Sequence, residues 1–412
     1  MNQGAMLNAY PDSMGGRLSD IIEVLRLPEF RDTFRSFYIL PSLFHSDLDR
    51  GFSVIDYELD EKYAFREDLD HLQELGIDLK LDFVLNHLSV NSPQFTDLLK
   101  NGEASECRDF FIDWNRFWQG CGEMTEEGYI QPDPELIKDM FFRKAGLPIL
   151  QVAFPNGSFV PYWNTFYQEI SVDADGKRSY LGQMDLNIRS SKVKEFYKDT
   201  LNRLADYGAG LIRLDAFAYA AKAPGRRNFF NEPETWELLG ELQQTADSRG
   251  LTLLPEIHAS YAEKTYEKMA AKGYPIYDFF LPGLIIDAFE RKSGELIATW
   301  GRELVEKGIT AVNMLGCHDG IPLLDLKGLL SEEDIQRLIG VVVSRGGKVK
   351  DLHGAKNVYY QVNATYYRAL GEDDRRMLIA RAIQLFMPGK PQSSTRASAG
   401  TVFATMPFGS LT

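Results

Sequence analysis

Short apolar runs alternate with stretches of helical period along most of this chain. FRSFYILPSL (34–43), LKLDFVLNHL (79–88), GLIRLDAFAY (210–219), LTLLPEIHA (251–259), YDFFLP (277–282), ITAVNMLGC (309–317) and IQLFMPGKPQ (383–392) read as strands. Between them REDLDHLQELG (66–76), VKEFYKDTLNRLADYG (193–208), ETWELLGELQQTADSRG (234–250) and ELIATWGRELVEKG (295–308) read as amphipathic helices. Each of these ends in glycine, the residue best suited to the left-handed conformation past a helix end. Strands and helices in repeated alternation predict parallel pairing, and continuously apolar strands predict burial on both faces. Periodicity alone gives α/β and leaves a closed barrel and an open sheet both standing.

The polar positions separate the two. In GLIRLDAFAYAAK (210–222), Arg213 and Asp215 interrupt an apolar strand two residues apart, hence on one face. A buried ion pair contributes little to stability and often costs some, so this pair points to function. Asn86-His87, Arg213-Asp215, Glu256-His258 and His318-Asp319 all fall at or near the C-terminal ends of strand-like runs. Strand ends converge on one site at that face of a (β/α)8 barrel. An open sheet would instead use a glycine-rich phosphate loop at a switch point, and no G-x-G-x-x-G or Walker pattern opens a helix here. The expected fold is a (β/α)8 TIM barrel.

The rhythm breaks after the third strand. Residues 1–88 form the first part of the barrel, and 89–190, rich in aromatics and loop formers, are too long for an ordinary connection and read as an inserted small domain. Residues 191–287 resume the barrel. Residues 288–360 hold the seventh strand and a second excursion with the basic loop RGGKVKDLHGAKN, and 361–392 the last barrel elements. The tail, 393–412, is rich in Ser, Thr and Ala and lacks helical periodicity, so a barrel truncated after strand 8 is expected.

Composition narrows the function. A chain of 412 residues, 44% hydrophobic, can bury a large core, and its net charge of −14 favours solubility. No basic run interleaved with aromatics appears, which argues against nucleic acid. Cys107, Cys121 and Cys317 show neither disulfide-scaffold nor metal spacing. No secretory leader or 18-residue apolar window is present, so a cytoplasmic protein without membrane contact is expected.

Asp215, Glu256 and Asp319 place carboxylates at three strand ends. Two carboxylates flanking a glycosidic bond suffice for retaining glycosyl transfer, one as nucleophile and one as acid/base. A cation beside Asp215 would keep it ionised, which is a role for Arg213. On spacing alone, metal-dependent lyases and purely structural acids use such positions too.

The strings DFVLNH (82–87), GLIRLDAF (210–217), LLPEIH (253–258) and GCHDG (316–320) resemble, in order, the four signature regions of the α-amylase family, glycoside hydrolase family 13. That resemblance implies a (β/α)8 barrel with a domain inserted after strand 3. It also implies Asp215 as nucleophile, Glu256 as acid/base and Asp319 as transition-state stabiliser, with His87, Arg213 and His318 around the glucose. DRGFSVIDY (49–57), RLDAFAYAAKAPG (213–225), CHDGIPLLDLKGLL (317–330) and YYQVNATYYRALG (359–371) are more similar to the sucrose phosphorylase subfamily. By this resemblance Asp49 and Phe52 contact the donor glucose, Gln183 lies near the sugar, and Gln361 binds substrate.

Within that subfamily, VPYWNTFYQ (160–168) is similar to the enzymes acting on sucrose 6(F)-phosphate. Arg143 and Lys144, with Arg345, Lys348, Lys350 and His353 of the basic loop, offer charge-assisted donors for an anion. Lys348 and Lys350 fit a solvated loop better, while Arg143 and His353 are the stronger candidates. The implied activity is phosphorolysis of sucrose 6(F)-phosphate or sucrose, with inorganic phosphate as co-substrate and neither metal nor organic cofactor. A hydrolase or transglucosidase of the same family, and a non-catalytic sugar binder, are the alternatives. The aromatics of 114–118 and 162–167 suit sugar stacking or a small core equally. Members of the subfamily carry, beyond strand 8, an arginine that pairs with the position of Asp49. Nothing after Gln392 resembles it, so reduced stability and weak or absent activity are expected.

Overall fold

Eight short strands carry the chain around a nearly closed parallel cylinder in the computed structural model, which describes residues 4–143, 146–176, 178–316, 320–354 and 358–394. They are β1 (Ala5–Ala9), β2 (Phe34–Ile39), β3 (Asp78–Val84), β4 (Ala209–Asp215), β5 (Thr252–Pro255), β6 (Ile276–Asp278), β7 (Ala311–Asn313) and β8 (Lys390–Ser394). Their hydrogen-bonded order is β5-β4-β3-β2-β1-β8-β7-β6, and β5 meets β6 at the seam. Sequential parallel neighbours, with β8 returning to β1, make this the (β/α)8 barrel expected from the strand-end residues.

Helices follow the strands on the outside, among them Leu18–Arg26, Arg66–Glu74, Ser191–Asp206, Glu234–Arg249 and Glu295–Glu306. The glycines at 76, 208, 250 and 308 all take positive φ, between 61° and 86°, as the helix-end reading requires.

The last strand differs from the sequence reading. IQLF (383–386) closes the helix Asp374–Phe386, and β8 begins only at Lys390. Ser393 and Ser394, placed in the tail by the sequence, pair with Leu7 and Asn8 of β1. That helix is apolar on two sides. Met377 and Ala380 are buried, while Leu378, Ile379, Ala382, Leu385 and Phe386 are exposed. The polar–apolar contrast that reveals a surface helix is therefore missing. β1 went unrecognised because AMLNA is only five residues long and has no flanking pattern.

Between β3 and the helix Ser191–Asp206 the chain leaves the barrel. A strand, His87–Ser89, pairs antiparallel with the end of Arg178–Asp185, so departure and return lie side by side. Trp114, Trp118 and Trp163 are fully buried and pack against one another with Ile112, Ile130 and Met140. The tryptophans thus form a small core. A second excursion after β7 carries the hairpin Lys348–Gly354 with Val358–Asn363.

Candidate active site

Alternation along β3 and β4 decides what faces the barrel axis. On β4, Ile212 and Leu214 turn towards the helices, while Arg213 and Asp215 share the inner face, as their spacing requires. Arg213 lies beside Asp82 of β3 in the ladder and forms an ion pair with its carboxylate. Its Nη2 stands 2.9 Å from Asp215 Oδ1 and 2.7 Å from Glu256 Oε1, Glu256 following β5 directly. One buried guanidinium thus ties carboxylates from three consecutive strands. Burial opposes its charge, but Glu256, Tyr38, Asp82 and Asp215 outweigh that and raise its pKa well above the ordinary value.

Beneath this cluster Tyr38 donates its hydroxyl to Asp82 at 2.8 Å. Lys80, fully buried two residues before Asp82, donates to Gln392 Oε1 at 2.6 Å and to Tyr277 Oη, with its ammonium 3.8 Å from the Tyr38 ring centre. Desolvation, helped by Arg213, pushes the Lys80 pKa well below its usual range.

Four residues expected around the sugar gather on one side. His87 Nε2 bonds to Phe52 O at 2.9 Å, and the Phe52 ring lies 5.2 Å from the Arg213 guanidinium. Desolvation lowers the His87 pKa to about 4, so the ring is neutral near pH 7. Asp49, exposed, stands in the turn Asp49–Gly51 just before Phe52. Gln183 is buried in register with Ser89, and its Oε1 accepts from Tyr167 N at 3.2 Å.

Of the aromatics in 162–167, which the sequence left between sugar stacking and a small core, Phe166 turns to the site. Phe166 packs against His87 at 4.7 Å and against Tyr219 at 5.8 Å. The Arg143 guanidinium lies 4.8 Å from the Phe166 ring centre and 5.3 Å from that of Tyr219. The strand Phe141–Phe142 pairs with the hairpin, His353 opposite Phe142. The two basic segments picked out from sequence are therefore backbone neighbours. Arg345 is engaged elsewhere: it bonds Ala369 O at 2.6 Å and Glu290 at 2.9 Å, so it braces the second excursion. Lys348 is exposed, as expected of a solvated loop.

On the β5 side His258 stacks on Phe279 at 3.8 Å and stands 3.4 Å from Asp325 Oδ1 and from Gln361 Nε2. Gln361 is thereby brought near Glu256, whose carboxylate is 3.9 Å from His258 Nε2. His318, Asp319 and Lys144, and the side chain of His353, lie outside the described residues.

Sequence reasoning also passed over Asp185 and Lys222. The Lys222 ammonium sits among Asp185 Oδ2 at 2.8 Å, Asn86 Oδ1 at 2.8 Å and Tyr219 O at 2.6 Å. Asp185 follows Gln183 by two residues, and Lys222 stands within RLDAFAYAAKAPG (213–225). Their signal was a lone lysine and a lone aspartate whose pairing only the fold reveals.

Residues 32–292 match the family model "Alpha amylase, catalytic domain". The chain is 56% identical over 396 residues to a sucrose 6(F)-phosphate phosphorylase of Ilumatobacter coccineus, covering 94% of this chain and 76% of the relative. It is 35% identical over 392 residues to a sucrose phosphorylase of Streptococcus mutans, covering 94% and 75%. The crystal structure of sucrose 6F-phosphate phosphorylase from Thermoanaerobacter thermosaccharolyticum superposes with a TM-score of 0.83 at 34% identity, covering 96% of this chain and 76% of that one.

Proposed function

The chain belongs to the α-amylase family, and on that premise we propose that it is a retaining disaccharide phosphorylase. It transfers glucose from sucrose 6(F)-phosphate, or sucrose, to inorganic phosphate, giving α-glucose 1-phosphate and fructose 6-phosphate or fructose. Phosphorolysis is supported by the 56% identity to a sucrose 6(F)-phosphate phosphorylase, and the retaining course by the single Arg213 nitrogen shared by Asp215 and Glu256. Two oxygens bound to one nitrogen stand within ~6 Å of each other, the spacing of a retaining pair rather than an inverting one.

In the first step an Asp215 oxygen bonds to the anomeric carbon as the bond to the fructosyl oxygen breaks, and Glu256 gives that oxygen its proton. In the second, a phosphate oxygen attacks the same carbon and Glu256 takes the phosphate proton. The bond to Asp215 then breaks and its carboxylate is restored. Two inversions give net retention, and neither step calls for a metal or an organic cofactor. Asp49, Phe52, His87, Gln183 and Gln361 hold the sugars, with Asp319 and His318 completing the donor subsite. Neutral His87 supports this assignment, since its Nδ1 is buried without a partner among the described residues and offers an acceptor to a sugar hydroxyl.

Preference for a phosphorylated donor is supported by Arg143, whose guanidinium is held between two aromatic rings, and by the pairing of its strand with that of His353. Among the described residues no helix is long and apolar enough to cross a membrane. Cys107 and Cys121 are free thiols, which suits a cytoplasmic enzyme of small sugars and sugar phosphates.

The deciding assay measures glucose 1-phosphate released from sucrose 6(F)-phosphate and from sucrose, each with and without inorganic phosphate, with Asp215→Asn as control. Phosphate-dependent product, faster from the phosphorylated sugar and abolished by the substitution, is expected. Free glucose released at the same rate without phosphate would make the protein a hydrolase instead.

A further inference from the structure

The turn bearing Asp49 is held in a costly conformation by contacts that the catalytic chemistry does not use. Asp49, Arg50 and Gly51 have φ of 53°, 49° and 114° in succession. The first two are non-glycine residues in the left-handed region, which is strained for a residue with a Cβ. Such a turn persists only where its surroundings over-determine it. Gly51 lies against the backbone of Pro41 and Ser42, where a Cβ would come within 2.1 Å of Ser42 N. Arg50 bonds both Asp12 oxygens, at 2.7 and 3.0 Å, and its guanidinium lies 4.0 Å from the Tyr10 ring centre.

The third brace is Asp47. One of its oxygens accepts from Ser53 Oγ at 2.7 Å, across the hairpin from the turn. The other accepts from Ser89 Oγ and from Asn91 Nδ2, the latter at 2.7 Å. Ser89 ends the short strand that begins at His87. A single carboxylate therefore ties the hairpin carrying Asp49 and Phe52 to the strand carrying His87, and the His87–Phe52 hydrogen bond lies between them.

We propose that Asp47 is a positioning residue for the donor glucose, locking the strained 49–51 turn onto the His87–Ser89 strand so that Asp49, Phe52 and His87 meet the sugar as one rigid wall. The proposal rests on the donor-site reading above. Asp47 touches no reacting atom; it acts through the groups it holds. A one-ångström displacement of substrate-positioning groups can cost about a hundredfold in rate.

The test compares the parent with Asp47→Ala, Asp47→Asn and Asn91→Ala, the last an exposed change that leaves the fold intact. Amide hydrogen exchange is followed at 48–53 and 87–91, and kcat and KM are measured separately for the donor and for phosphate. Asp47→Ala should speed exchange in both segments and lower donor kcat/KM by about ten- to a hundredfold, with the KM for phosphate unchanged. Asn91→Ala should do so mildly, and Asp47→Asn, which keeps one acceptor, should recover part of the loss. Unchanged exchange in Asp47→Ala overturns the brace. Faster exchange with unaltered donor kinetics overturns its positioning role. A parent that turns over no α-glucoside fails the functional reading itself, a result the exchange arm keeps separate from failure of the brace.

Discussion

Burying a guanidinium among carboxylates is costly unless each charge finds its partner, and Arg213 finds three, in Asp82, Asp215 and Glu256. The two residues most easily confused in this cluster should separate experimentally. Asp215→Asn keeps an oxygen for Arg213 and leaves the other two pairs intact, so its stability should stay within about 1 kcal/mol of the parent. Its turnover should fall at least about a thousandfold, the scale on which loss of a nucleophile acts. Arg213→Met strands buried carboxylates and should cost about 3–5 kcal/mol. Urea unfolding read beside kcat distinguishes the two, and an Arg213→Met variant as stable as the parent would sink this account. The strand period in the sequence placed Arg213 and Asp215 on one face. It could not show that Asp82 of the neighbouring strand completes the cluster, nor that Lys80 is fully buried beneath it. Alternation reveals which face a residue takes, while partners across a barrel depend on register and closure.

At the level of elements, one ammonium helps to fasten the insertion to the barrel, beside the pairing of His87–Ser89 with the end of Arg178–Asp185 and the hydrogen bond from Asn86 Nδ2 to Asp185 Oδ2 at 3.0 Å. Lys222 joins Asn86 beyond β3, Asp185 at the insertion's return and Tyr219 after β4. Asp185 also accepts from Thr165 N at 2.7 Å and Thr165 Oγ1 at 2.6 Å, so it holds the insertion from within. Lys222→Met removes the only cation paired with Asp185 among the described residues and should cost about 3–5 kcal/mol. Adding Asp185→Asn should recover part of that loss, because the stranded charge is then gone. Chemical denaturation of both single variants and the double variant measures the coupling, and strictly additive losses would count against the fastening. The insertion was legible as a break in the strand–helix rhythm. The roles of its aromatics were not, because a tryptophan that packs a core and one that stacks on a sugar look alike in sequence. Only the fold shows Trp114, Trp118 and Trp163 turned inward and Phe166 turned to the site.

On the scale of the whole molecule, the barrel closes through β8, and the helix before it is the element the sequence concealed. Asp374–Phe386 buries Met377, Ala380 and Gln384 on one side and exposes Leu378, Ile379, Ala382, Leu385 and Phe386 along the other, Phe386 at 89%. A contiguous exposed apolar stripe marks a contact surface or an aggregation liability. The chain spanning residues 1–412 should therefore bind a hydrophobic dye such as ANS in its native state and self-associate as concentration rises. Replacing Leu378 with Glu and Phe386 with Lys touches exposed positions only, so stability should change by no more than about 0.5 kcal/mol per site. Dye fluorescence and the associated fraction in sedimentation should both fall. If the double variant binds dye and associates as the parent does, the exposed surface responsible lies elsewhere, and this stripe is covered in solution.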